Sequence, residues 1–143
     1  HDAAHSVGYR IQTADDRMVC VCTDVGHITE VVDANLKGSD MVLLESNYDE
    51  NMLYAGRYPW QLKRRIASPH GHLSNDDSAL YLCELGEYGT AHFILGHLSE
   101  ENNTPELAVQ NALHMLSQHN FKQNRDFTLN VAERSTTGKV YIV

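Results

Sequence analysis

Met41-Val42-Leu43-Leu44 stays apolar for four residues and then stops on Glu45. Two other stretches behave alike: Met18-Val19-Cys20-Val21-Cys22-Thr23 halts at Asp24, and Phe93-Ile94-Leu95-Gly96 halts at His97. Short apolar runs bounded by turn residues read as strands buried in a covered sheet. In such sheets, functional groups collect where strands end and loops begin. If the three strands run parallel and side by side, two carboxylates and an imidazole meet along one rim. That is the raw material of a hydrolytic metal site, because such ions take imidazole nitrogen and carboxylate oxygen.

The segments between these runs read as hairpin and helices. Residues 6–13 and 17–23 are two strands joined by a hairpin at Ala14-Asp15-Asp16. Ile28, Val31, Val32 and Leu36 recur at helical spacing, and Gly38 ends that helix. Residues 40–45 are a strand, and residues 48–67 form two short helices split near Gly56, with Pro59 early in the second. Ser74-Asn75-Asp76-Asp77 resembles a capping box with Asp in place of Glu, and Ala79, Leu82, Cys83 and Gly86 share one face behind it. A strand over 91–96 precedes a helix opened by Thr104-Pro105, whose Val109, Ala112, Leu113 and Leu116 line up on one side. Residues 127–132 and 139–143 read as a closing β pair around Thr137-Gly138. Strands alternating with helices predict one α/β domain over residues 1–143 with a covered sheet, though with too few βα units for a doubly wound fold.

A chain of 143 residues, 42% hydrophobic and 21% charged, is of the size and composition of one globular domain. It has no apolar stretch of the roughly 20 residues a membrane span needs, and no signal-peptide pattern. It opens on His1 rather than Met, which leads us to expect a further piece upstream. Cys20 and Cys22 alternate on one strand face and Cys83 falls in a helical pattern. Three such cysteines read as reduced core thiols rather than a Cys-x-Cys zinc site, and point to a reducing cytoplasm.

The net charge of −8 argues against a nucleic-acid binder, but the distribution does not. Between residues 51 and 75 there is no acidic residue, while Arg57, Lys63, Arg64 and Arg65 lie there with His70 and His72. Two readings compete for this window: a local grip on phosphate and a solvated helix face.

Asp24, Glu45, His72 and His97 are the residues on which chemistry would rest. Asp24 sits at a strand end and competes with the bland role of an Asx-turn. A buried Glu45 needs a partner or a proton, and His72 would give it an acid/base pair able to protonate a leaving group. Gly71-His72-Leu73-Ser74-Asn75 places that histidine just before a helix start, and Gly96-His97-Leu98-Ser99 repeats the same tetrapeptide at another junction. His1 and His5 are further imidazoles near the chain start. His27, His70, His92, His114 and His119 read as structural or surface residues.

Taken together, several stretches resemble the metallo-β-lactamase superfamily, and within it the small bacterial YycJ/WalJ-like branch regarded as 5′-to-3′ DNA exonucleases. They are His1-Asp2-Ala3-Ala4, Val7-Gly8-Tyr9-Arg10-Ile11, Thr23-Asp24-Val25-Gly26 and Leu44-Glu45-Ser46-Asn47. Gly56-Arg57-Tyr58-Pro59-Trp60-Gln61-Leu62-Lys63-Arg64-Arg65-Ile66, Gly71-His72-Leu73-Ser74-Asn75 and His97-Leu98-Ser99-Glu100-Glu101-Asn102-Asn103-Thr104-Pro105-Glu106 complete the set. The resemblance implies a role for each. His1 and His97 would ligate metal, and Asp24 would bridge two divalent ions, zinc or manganese. Glu45 and His72 would serve as acid/base pair. Arg57, Lys63, Arg64, Arg65, Ser99 and Asn102 would contact substrate phosphate. A metal-activated water would attack phosphorus.

The same resemblance implies a four-layer αββα sandwich built from two similar halves, of which this chain looks like the C-terminal half. The superfamily's His-x-His-x-Asp-His cluster, which supplies most metal ligands, is absent. What remains gives two protein ligands per ion, fewer than the three a hydrolytic zinc site normally uses. The expectation is therefore a chain that alone binds metal weakly and cleaves little. It would be completed by an N-terminal half or a second copy, and would act on DNA in the whole protein. The alternatives are hydrolysis of RNA, a cyclic phosphodiester or a thioester, and a non-catalytic fragment that needs its other half.

Overall fold

The computed structural model describes residue 3 and residues 6–141. His1 and His5 lie outside the described residues. A single five-stranded sheet runs in sequence order from β1 (Tyr9–Gln12) through β2 (Met18–Cys22), β3 (Met41–Glu45) and β4 (His92–Gly96) to β5 (Thr128–Val131). The hairpin pairs β1 with β2 antiparallel, and every later pairing is parallel. Parallel neighbours need crossovers. These are α1 (Glu30–Leu36), then α2 (Glu50–Ala55), α3 (Trp60–Ile66) and α4 (Asn75–Glu87), and finally α5 (Pro105–Gln118).

The register explains the core. Cys20, Val42, Phe93 and Leu129 stand in one row across the sheet, and Cys22, Leu44, Leu95 and Val131 in another. Side chains alternate along a strand, so both rows point to the same face. That face packs onto Leu36 of α1, Ala79, Leu82, Cys83 and Leu85 of α4, and Ala108, Ala112 and Leu116 of α5. All three cysteines are buried and unbridged, as core thiols should be, and burial pushes Cys22 and Cys83 each up to about 11.

The opposite face is different. Tyr9 and Ile11 are exposed there, Val19, Val21 and Leu43 are half-buried, and none of the five belongs to the core cluster. The described residues thus form one sheet with one helical layer, an α/β arrangement that is half the depth of a four-layer sandwich.

Helix starts follow the capping chemistry of the sequence. Thr29, Asp49, Ser74 and Thr104 each accept a first-turn N–H through the side chain. Asp77 does not reach back to the Ser74 backbone as a capping box requires; its carboxylate accepts the Ser74 hydroxyl instead, at 2.7 Å. Pro59 stands at the N-cap of α3 rather than within it. The expected closing β pair does not form among the described residues. Residues 139–141 are not a strand, and β5 pairs only with β4, in parallel. β-branched and aromatic residues favour a strand only where a neighbour completes the ladder.

No helix among the described residues is long and apolar enough to cross a membrane.

Candidate active site

Because β2, β3 and β4 are adjacent and parallel, their C-terminal ends share one edge of the sheet. Glu45 is the last residue of β3 and lies opposite Gly96, so the next residue after β4 is His97. Asp24 follows the end of β2 by two residues. His72 comes from the far end of the α2–α3 excursion, just before the N-cap of α4. Three apolar runs therefore deliver their terminal polar residues to one rim, as their sequence suggests.

Two of these residues hold left-handed backbone conformations: Asp24 has φ of 57° and His97 φ of 54°. Such conformations are uncommon for residues other than glycine, with Asp and His among the more tolerant, and cost roughly 1–3 kcal/mol each. At His97 the turn is secured by Asn47, whose Nδ2 donates to the His97 carbonyl at 2.7 Å. At Asp24 it is secured by packing of the next residues. Gly26 is pressed on the Pro69 carbonyl with no room for a Cβ, and the Val25 N–H is held by Glu45.

Glu45 is the centre of the arrangement and has no solvent exposure. Its Oε1 receives Nδ1 of His72 at 2.7 Å and Nδ1 of His97 at 2.6 Å. Its Oε2 receives the Val25 N–H at 2.8 Å and the Leu73 N–H at 3.4 Å. Four donors from three separate loops converge on one carboxylate. Burial pushes the Glu45 carboxyl up, but the hydrogen bonds from His72, His97 and the Val25 N–H outweigh it and hold the group below the ordinary carboxylate range. The reciprocal effect raises His97: the Glu45 hydrogen bond favours its protonated form against partial burial, and Asp24 adds to it.

Ligand atoms of Asp24, His72 and His97 all lie within 4.8 Å of one another. The two imidazole rings meet edge to face, with centroids 5.2 Å apart. Asp24 Oδ1 is 3.9 Å from Nδ1 of His97. An imidazole that gives Nδ1–H to a carboxylate carries its ring lone pair at Nε2. This is the tautomer and the outer-sphere support that metal-binding histidines usually have. Asp24 and His97, over the buried Glu45, offer the carboxylate and imidazole donors that a divalent ion such as zinc or manganese takes, with His72 beside them. His97 also borders an open groove of about 1020 Å³ that continues past Thr23, Leu43, Ser99 and Arg134.

Two of the residues expected to contact phosphate are buried. Lys63 is buried, and its ammonium donates to the carbonyls of Tyr54 at 2.6 Å and Gly56 at 2.7 Å. It closes the C-terminal end of α2, whose last carbonyls lack helical partners. Asn102 is also buried; its backbone N–H is held by the Ser99 hydroxyl and its carbonyl accepts the Asp49 N–H. Neither side chain faces solvent. Arg57, Arg64 and Arg65 are exposed, and Ser99 is half-buried on the groove.

The residues that sequence reasoning missed lie directly beneath the rim. The amides of Asn75 and Asn103 hydrogen-bond each other in both directions at 3.0 and 2.8 Å. Ser46 donates its hydroxyl to Asn75 at 2.6 Å, and Asn103 also donates to the carbonyls of Ser46 and Asn47. This buried network fastens the loops after β3 and β4 to the start of α4, and so fixes Glu45, His97 and His72 relative to one another. The single available signal was a run of small polar residues directly after a buried strand.

No protein-family model matches the chain. Over all 143 of its residues it is 34% identical to Exodeoxyribonuclease YycJ of Bacillus anthracis, of which it covers 54%. Over 127 residues, 89% of the chain, it is 37% identical to Exodeoxyribonuclease WalJ of Streptococcus pneumoniae serotype 2 strain D39, of which it covers 47%. The WalJ protein of strain R6 gives the same figures. The chain is thus similar along its length to proteins named exodeoxyribonucleases, and spans about half the length of each.

Proposed function

We propose that this chain carries the acid/base and part of the metal-binding machinery of a two-metal phosphodiesterase that degrades DNA from its 5′ end. The observation that carries the reading is the Glu45 clamp, which aims two imidazoles at the space beside Asp24. The names of the relatives supply the substrate.

Asp24 and His97 would hold a divalent ion, and His1 would be a ligand to a second. When bound, such ions polarise the phosphate and lower the pKa of water. His72 sits beside them with Glu45 behind it. It hands a proton to the 3′ oxygen that leaves phosphorus, while Glu45 holds its Nδ1 and so aims the ring. Arg57, Arg64 and Arg65 take backbone phosphates, so binding falls with salt. The apolar sheet face bearing Tyr9, Ile11, Val19, Val21 and Leu43 accepts a second layer from an N-terminal half or a second copy. The isolated chain is then expected to retain little metal and little activity.

The test is release of nucleotides from 5′-phosphorylated DNA by the complete polypeptide with manganese or zinc, with 5′-phosphorylated RNA in parallel. Release from DNA that His72→Ala abolishes supports the proposal. Equal release by His72→Ala, or cleavage confined to RNA, removes it. Full turnover by the 143-residue chain alone would show that no further half is needed.

A further inference from the structure

The excursion between β3 and α4 carries a surface that the strand-end cluster does not use. Trp60 is 62% exposed and Tyr54 45% exposed, yet their rings face each other with centroids 6.0 Å apart and planes at 44°. The fold has room for aromatic rings elsewhere: Tyr48, Tyr81, Phe93 and Phe127 are all buried. These two are left in water as a pair, one from α2 and one from the first turn of α3.

The stretch of sequence that carries them is cationic. Arg64 follows Trp60 by one helical turn and shares its side of α3. Arg57 lies in the turn between the two helices, and Arg65 is in the last turn of α3. All three arginines are exposed. The nearest carboxylate in sequence is Glu50, one turn before Tyr54, and none follows until Asp76. In a chain of net charge −8 this is a local exception. Exposed rings between guanidinium groups are the chemistry of an unpaired base on its phosphate backbone. Duplex bases already have both faces stacked and offer such rings nothing but edges and backbone.

The surface is tied to the cluster. The Ile66 carbonyl, at the end of α3, accepts the His72 N–H at 2.9 Å. Gly71 has no room for a Cβ against the carbonyls of Arg65 and Ile66. A strand laid on α3 is therefore held at a fixed offset from His72.

We propose that Tyr54 and Trp60, flanked by Arg57, Arg64 and Arg65, are a stacking platform for the unpaired bases of single-stranded DNA. The choice of DNA over RNA rests on the nuclease reading above; the preference for unpaired bases rests on the exposed rings.

Trp60 is the only tryptophan in the chain, so its fluorescence reports this surface alone. The chain is titrated in a chelator, so that cleavage plays no part, with a short oligothymidylate, the matching duplex and an oligouridylate. Saturable quenching by oligothymidylate, weaker with duplex, is expected. By anisotropy of labelled oligonucleotide, Trp60→Ala is expected to weaken single-strand binding by roughly 5- to 150-fold, the factor one stacked base supplies. Trp60→Phe, which keeps a ring, is expected to lose less. Duplex binding should change little, and melting temperature should stay that of the parent because the side chain is exposed. Absent quenching, equal losses on duplex and single strand, or tighter binding of oligouridylate would each overturn the proposal. A surface built for a protein partner would give the first of these. Nucleotide release by the complete polypeptide without quenching retires the platform alone; quenching without nucleotide release by the complete polypeptide in manganese retires the nuclease reading alone.

Discussion

The strand-end rim and the α2–α3 excursion are joined through hydrogen bonds such as that of the His72 N–H to the Ile66 carbonyl, yet they are built in opposite ways. At the rim, a fully buried carboxylate takes four donors from three loops, and a buried amide network lies below it. On the excursion, Tyr54, Trp60, Arg57, Arg64 and Arg65 are exposed, and the one buried charge, Lys63, serves the helix rather than the surface. The difference follows from what each must do. Proton transfer needs atoms held within a fraction of an ångström, which buried and mutually satisfied hydrogen bonds provide. Recognition of a flexible strand needs accessible charge and ring faces, which gain nothing from burial.

The comparison breaks most visibly at Glu45. Glu45→Gln keeps the shape but loses the charge that orients two imidazoles. Nucleotide release by the complete polypeptide is expected to fall by roughly 10²- to 10⁴-fold, the usual worth of general acid–base catalysis. The pH–rate profile should move with it, since a merely structural role would leave that profile in place. A variant with near-parent rates and profile would show that the clamp has no catalytic consequence.

Lys63 and the Arg64–Arg65 pair separate stability from recognition within a single helix. Lys63→Met removes two charge-assisted hydrogen bonds and should cost about 1.5–3 kcal/mol in denaturant unfolding. Arg64→Ala with Arg65→Ala should leave the unfolding midpoint alone. It should instead flatten the salt dependence of single-strand binding by about 0.7 per lost phosphate contact. The reverse pattern would return Lys63 to the binding surface.

The smallest effect is a pH dependence of stability in the metal-free chain. Glu45 is depressed in the fold, so its contribution is complete above its ordinary value of 4.5 and is lost as pH falls through the depressed value. His97 is raised, so its contribution is complete below 6.5 and is lost as pH climbs through the raised value. The cluster therefore stabilises most between these limits. The melting temperature should peak there and flatten in Glu45→Gln; an equal peak in that variant would place its source elsewhere.

Much of the rim was legible in the sequence because parallel buried strands write themselves as continuous apolar runs, and a polar residue ending such a run has few places to go. Asp24, Glu45 and His97 were found in that way. Pairing Glu45 with His72 captured half of the clamp. That His97 shares the same oxygen depends on sheet register, which places Glu45 opposite Gly96. The Asn75–Asn103 pair could not be read, since asparagines in loops look like turn residues and these two are 28 positions apart. The burial of Lys63 and Asn102 could not be read for the converse reason. Polar side chains default to solvent, and only the packing of α2 against its neighbours shows that these two close backbone groups inside. Residues 139–143 had the composition of a strand, but 139–141 are not one.

The central claim is that Asp24 and His97 hold metal while His72, in the same cluster, holds a proton. Calorimetric titration of manganese and zinc into the complete polypeptide tests it most directly. The account predicts that Asp24→Ala and His97→Ala each weaken binding at least tenfold, whereas His72→Ala binds as the parent does but releases no nucleotide. Undiminished binding in Asp24→Ala and His97→Ala, or a loss in His72→Ala as large as in His97→Ala, would contradict it.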